Sequence, residues 1–143
     1  MKIIVDANIV FSAILNTNGK IADLLINSTN VKFIAPDFLR LEIRKYHNKL
    51  AKTKKISSSN IQEIEYFIFQ NIVFISEIQI EEKYWKQAYE LLKDIDEKDT
   101  PYITYALKFK CKLWTGDKKL VNGLKKKNRS LTISTNELYE LLN

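Results

Sequence analysis

Residues 2–8 read Lys-Ile-Ile-Val-Asp-Ala-Asn, an apolar run over Ile3-Ile4-Val5 that stops abruptly on an acid, Asp6. A strand with one wet face alternates apolar and polar side chains. A continuous apolar run instead fits a strand covered on both faces, as in a parallel sheet. Outward from this stretch, helix and strand patterns alternate. Helices are predicted over Ile9–Leu15, with Asn8 as N-cap, and over Lys20–Asn27, and a strand over Val31–Ala35. From Phe38 the spacing turns helical, with Leu39, Ile43, Tyr46 and Leu50 on one stripe. Ser57–Asn60 breaks that pattern, and a helix from about Ile61 to Asn71 leads into a strand over Ile72–Ile75. Further helices are expected over Glu81–Lys93, Pro101–Phe109 and Asp117–Lys127, with strands at Cys111–Thr115 and Leu131–Ile133. Ser134 and Glu137 form a capping box for a last helix. Strands alternating with helices make βαβ units, so the fold class is α/β with right-handed crossovers and a parallel sheet.

The chain has 143 residues and neither an internal repeat nor a linker, which points to a single domain over 1–143. Cys111 is the only cysteine and His47 the only histidine. Internal disulfides, cysteine-cluster zinc sites and multi-histidine metal sites are thereby excluded. Three glycines are too few for a dinucleotide-binding loop. No apolar run approaches the ~20 residues of a membrane span, and no signal peptide is visible. The expectation is a cytoplasmic protein with no membrane partner. The net charge of +6 is uneven along the chain. Ile43–Gln62 carries Arg44, Lys45, Lys49, Lys52, Lys54 and Lys55 with no acid; Lys118–Asn136 carries Lys118, Lys119, Lys125, Lys126, Lys127 and Arg129, again with none. Between them, Glu77–Asp99 holds eight acids against four lysines. Two basic blocks flanking an acidic one suit a polyanion gripped on both sides of a metal-binding centre.

Ligands of an open α/β sheet sit beyond the carboxyl ends of its strands. Asp6 ends the first strand, and Asp117 follows Trp114-Thr115 with only Gly116 between. Asp99 stands where a helix begins at Asp99-Thr100-Pro101, and helices returning antiparallel to the strands begin at that same edge. Thr100 before Pro101 already supplies an N-cap, which leaves Asp99 without a capping task. Asp117 reads equally well as a cap or as a ligand. Glu42 lies within the helix after Pro36, and Asp96 is a lesser candidate for an extra ligand. Carboxylates gathered in one cleft repel unless a cation is present. With oxygen the only donor, that cation is Mg²⁺ or Mn²⁺, and in a basic cleft it suits phosphodiester chemistry.

Asp6 in Ile4-Val5-Asp6-Ala7-Asn8, Glu42 in Leu41-Glu42-Ile43, Asp99 in Asp99-Thr100-Pro101-Tyr102-Ile103 and Asp117 in Trp114-Thr115-Gly116-Asp117 together resemble the PIN-domain nuclease family. The resemblance covers nearly the whole chain. It implies a Rossmann-like three-layer α/β/α sandwich around a parallel sheet of about five strands, and Mg²⁺- or Mn²⁺-dependent cleavage of single-stranded RNA. It also implies that Asp6, Glu42, Asp99 and Asp117 bind the metal, with Thr115 and Asn8 orienting metal or water. Many bacterial members of this size act as toxins paired with a small antitoxin, whereas others process RNA without being toxins. An alternative is a non-catalytic RNA-binding or protein-interaction module with the same fold. Whether the chain works alone or as a homodimer stays open. Arg44, Lys45, Lys49, Lys118 and Lys119 are the basic residues expected nearest the cleft, holding phosphates without reading bases. A haloacid-type phosphatase would want an acid where Asn8 stands, and a receiver domain a lysine where Asp117 stands. A serine or cysteine hydrolase would need His47, which falls in a basic helix away from the acids.

Overall fold

A computed structural model of the protein describes residues 1–54 and 58–143. In chain order the elements are β1 (Lys2–Val5), α1 (Ala7–Leu15), α2 (Lys20–Asn27), β2 (Lys32–Pro36), α3 (Phe38–Lys45), α4 (His47–Lys54), α5 (Ser58–Phe69) and β3 (Ile72–Ile75). There follow α6 (Glu82–Leu92), α7 (Thr100–Phe109), β4 (Lys112–Trp114), α8 (Lys118–Lys126), β5 (Thr132–Ile133) and α9 (Thr135–Leu142). All five strands are parallel, in the order β3-β2-β1-β4-β5. From β1 the chain winds outward through β2 to β3, then crosses back to β4 on the other side of β1 and on to β5. Right-handed crossovers therefore place α1–α5 on one face of the sheet and α6–α8 on the other, giving the three-layer α/β/α arrangement. α7 lies across β1, β2 and β4, and α6 packs on α7.

The central strands read as apolar runs because both faces are covered. Ile4, Val5, Ile34, Leu113 and Trp114 are all fully buried. The Trp114 indole nitrogen donates to Thr135 Oγ1 at 3.0 Å, so its polar edge is satisfied inside the core. Among the described residues no single helix is long and apolar enough to cross a membrane.

Three local features depart from the sequence reading. α1 begins at Ala7, because Asp6 and not Asn8 is its N-cap: the Asp6 carboxylate accepts the Ile9 N–H at 2.9 Å. The helix expected to run from Phe38 through Leu50 is two helices, α3 and α4, parted at Tyr46. There the Tyr46 N–H turns back to the Ile43 carbonyl, and its ring leaves the buried stripe of Leu39 and Ile43 to pack edge-on against Phe11 at 5.3 Å. α5 begins at Ser58, earlier than Ile61; the place expected for Lys55, for the break at Ser57 and for the Leu50 and Lys54 side chains lies outside the described residues. The start of α3 is closed from a distance, since the Phe38 N–H donates to Glu77 Oε1 at 3.1 Å.

The segment between α6 and α7 is fastened to α8. Lys127 Nζ donates to the Leu91 carbonyl at 2.8 Å and also pairs with the Asp94 carboxylate. Ile95 lies so close over Gly123 that a Cβ added there would come within 2.7 Å of Ile95 Cδ1. Asp94 and Ile95, just before Asp96, are thus held against the helix that Asp117 begins.

Candidate metal centre

The reversal of winding direction falls between β1 and β4, and a crevice opens beyond the carboxyl ends of strands at such a point. Val5 pairs with Trp114, so Asp6 and Thr115 leave the sheet level with one another. Both strands pass straight into helices, and both helices are capped by an acid from this edge. Asp6 caps α1; Asp117 caps α8, its Oδ1 accepting the Leu120 N–H at 3.2 Å. For Asp117 capping and ligation are compatible, since a carboxylate that caps through one oxygen keeps a second. Thr115 is 1% exposed; its hydroxyl accepts the Asp117 N–H at 3.1 Å and also stands beside the Asp6 carboxylate, so it touches both strand ends.

A cleft of about 400 Å³ lies here, lined by Asp6, Ala7, Asn8, Glu42, Asp96, Lys98, Asp99, Tyr102 and Asp117. It brings together every acid singled out in the sequence. The tightest group is Asp96, Asp99 and Asp117, each offering a carboxylate oxygen within 4.8 Å of the others. Asp96, expected only as an extra ligand, therefore belongs to the centre of the cluster, while Asp6 and Glu42 line the surrounding wall. Asp96 is fixed by accepting the Lys98 N–H at 3.0 Å in the short turn before α7. Asp99 occupies the N-cap position of α7 yet its side chain makes no cap hydrogen bond, and its Oδ2 is buried without a partner. The cap expected from Thr100 falls one residue earlier, but the consequence drawn from it, a carboxylate free of capping duty, describes Asp99.

The electrostatics are those of crowded, part-buried acids. Burial pushes Asp6 up to about 6; the Ile9 N–H and the Thr115 hydroxyl pull it back, and Asp117 repels it. Burial pushes Asp99 up to about 7, with Asp117, Asp96 and Asp6 adding like-charge repulsion in that order. Glu42 is also raised by burial, opposed by the Tyr102 hydroxyl and by Lys45. Oxygen-only donors and a buried carboxylate oxygen without a partner fit a hard divalent cation, whose charge would reverse this repulsion. Two ligands on opposite sides of one Mg²⁺ stand about 4.2 Å apart, so a spread of 4.8 Å suits a single ion after small side-chain movements.

These shifts carry a sign for stability. Asp6 and Asp99 ionise near 3.8 when unfolded but only near 6 and 7 in the fold. Between those values the folded state binds the extra protons, so their contribution falls as pH rises from about 4 to about 8. The metal-free Asp99→Asn protein is accordingly expected to unfold near the parent's temperature at pH 4. Its advantage should widen steadily up to pH 8. Thermal unfolding in chelator across that range checks this, and a constant difference would refute it.

The basic residues are arranged differently from expectation. Lys98 is the cation lining the cleft, and sequence reasoning passed over it as one lysine of an acidic stretch. Its position next to Asp99 was the available signal. Arg44, Lys45, Lys49, Lys118 and Lys119 are exposed but do not line the cleft. Lys45 and Lys49 each stand about 6 Å from the centre of the Tyr46 ring, and Arg44 lies toward the buried Glu65, which also pairs with His47 at 3.5 Å. Tyr102, three residues after Asp99 on the first turn of α7, is another wall residue the sequence did not mark.

No curated protein matches the chain in sequence at a significant level. Among solved structures, VapBC2 from Rickettsia felis bound to a DNA fragment from their promoter is similar in fold: TM-score 0.67 at 15% identity, covering 94% of this chain and 97% of that one. The family profile described as PIN domain matches residues 4–138, from within β1 into α9 and across all the cleft acids. The chain belongs to the PIN-domain family of nucleases.

Proposed function

We propose that this protein is a Mg²⁺- or Mn²⁺-dependent endoribonuclease cleaving single-stranded RNA in the cytoplasm, acting as one unit over residues 1–143. The observation that carries the reading is the buried, unpartnered Asp99 oxygen in a group of three carboxylates at the winding reversal. The neighbouring Asp117, Asp96 and Asp6 repel that charge, so a cation is its natural counterpart. In this reading Asp96, Asp99 and Asp117 hold the cation, Asp6 and Glu42 complete its surroundings, and Asn8 offers a polar group at the cleft mouth. A divalent ion held there polarises a phosphodiester and lowers the pKa of an attacking water. Thr115 keeps the Asp6 and Asp117 strand ends in register, and Lys98 meets the phosphate that enters. Arg44, Lys45, Lys49, Lys118 and Lys119 supply a basic rim for the flanking backbone.

The fold likeness to VapBC2, crystallised with DNA from its own promoter, supports the further reading that this chain is the toxin of a pair whose small antitoxin binds DNA. A labelled single-stranded RNA incubated with the protein tests the activity: cleavage should need Mg²⁺ or Mn²⁺ and stop with chelator. Persistent cleavage in chelator, or none with either metal, would remove the nuclease reading and leave a binding module. The rim has its own test. Replacing both Lys118 and Lys119 by Ala should weaken RNA binding alike across sequences and lower the salt slope of log K by up to about 1.4, about 0.7 for each phosphate no longer neutralised. An unchanged slope would make these lysines ordinary surface residues.

A further inference from the structure

Tyr102 carries a hydroxyl that the packing around it does not use. The residue is 3% exposed, and its ring sits against Phe38 with centroids 5.5 Å apart. A phenylalanine would make that contact equally well. The oxygen, by contrast, is buried and makes no hydrogen bond of ordinary geometry. A buried, unpaired hydroxyl lowers stability unless some task retains it. It stands in the cleft wall with Glu42, Asp6 and Asp99 around it and the Ala7 N–H directed at its oxygen, so toward the acids its own proton can only be donated. Of the three, Asp6 already accepts the Ile9 N–H and has the Thr115 hydroxyl beside it. Asp99 belongs to the cluster with Asp96 and Asp117. Glu42 comes from a different layer: α3 lies on the α1–α5 face and α7 on the other, and Glu42 and Tyr102 both line this wall.

We propose that Tyr102 is a positioning residue whose hydroxyl donates to the Glu42 carboxylate and holds it toward the cation-binding cleft. The inference rests on the reading of the cleft as a metal centre, because it takes Glu42 as one of the groups surrounding the ion. The hydroxyl favours the charged form of Glu42 against the burial that opposes it, as such a donor must. Outer partners of this kind orient a ligand and raise its effectiveness without touching the metal.

The test is Mn²⁺ binding by calorimetry at pH 8, on the parent, Tyr102→Phe, Glu42→Gln, the double variant and Asp99→Asn, together with thermal unfolding in chelator. Tyr102→Phe should bind Mn²⁺ about 10–100-fold more weakly. Without metal it should unfold at or above the parent's temperature. In the Glu42→Gln background the same change should alter affinity by about twofold or less, because the hydroxyl acts through a carboxylate no longer there. Parental affinity in Tyr102→Phe or in Glu42→Gln overturns the proposal, as does an equal loss in both backgrounds. A Tyr102→Phe protein that unfolds well below the parent makes the hydroxyl a structural group and overturns it too. Asp99→Asn separates the two levels. If it loses Mn²⁺ while Tyr102→Phe does not, only the role of Tyr102 fails. If it also binds as the parent does, the metal centre itself fails.

Discussion

Asp99→Asn is expected to remain folded while RNA cleavage falls by at least about 10³-fold. Two features of Asp99 make this the sharpest substitution in the cleft. Its side chain caps nothing, so replacing the acid by its amide removes no hydrogen bond from the start of α7. Its carboxylate is the one most burdened by its neighbours, raised to about 7 by burial and then by Asp117, Asp96 and Asp6. The amide keeps the shape, lifts the repulsion and offers a much poorer donor for a hard cation. Stability without metal and activity with metal should therefore move in opposite directions at pH 8. An acid serving as scaffold would behave otherwise, with a lowered unfolding temperature and cleavage intact. That pattern, in a melting curve beside a cleavage gel, would end the assignment. Asp6→Asn and Asp117→Asn are less clean, because both acids also cap helices, although Asn caps about as well as Asp.

A second large effect concerns pH. Cation binding requires the ligands to shed their protons. With Asp6 near 6 and Asp99 near 7, most of each population is protonated at pH 5 and ionised at pH 8. The ionised fractions of the two change by about tenfold and a hundredfold, so Mn²⁺ affinity should rise on the order of 10³-fold across that interval. The same titrations at pH 7 in buffers of different ionisation enthalpy should report protons released on binding. Affinity that is flat from pH 5 to pH 8 would show that the ion binds away from these two acids, whatever else holds it. A saturating ion at about 100 times its dissociation constant would add about 2.7 kcal/mol to stability at pH 8.

How far the sequence reached is best seen residue by residue. β1 and β4 were legible because a strand buried on both faces has no polar position, and an acid abutting such a run is conspicuous. Asp6 and Asp117 were placed on one edge by that logic alone, and Asp99 followed from the direction of the helix it begins. What escaped were relations through space. Glu77 closes α3 from 39 residues away, a cap that no local pattern announces. The break at Tyr46 turns on where one aromatic ring finds a partner, Phe11, in another helix. Asp96 reads as a loop residue because nothing nearby in sequence shows that the two residues before it are fastened to α8, Asp94 by Lys127 and Ile95 over Gly123. Tyr102 and Glu42 are 60 positions apart and meet only after the layers assemble.

The strand order has a consequence in time. β1 is made first and β4 about 110 residues later, yet the two must lie side by side for Asp6 and Asp117 to share a cleft. At about 5–20 residues per second, a ribosome needs roughly 5–20 seconds to pass from one to the other. Throughout that interval the nascent chain can assemble β1, β2 and β3 but leaves one side of β1 unpaired, an open edge that other strands could join. The cleft is also missing Asp117, Thr115 and the helix that steadies Asp96. If the cleft cuts RNA as proposed, it stays incomplete until β4 and α8 have been made.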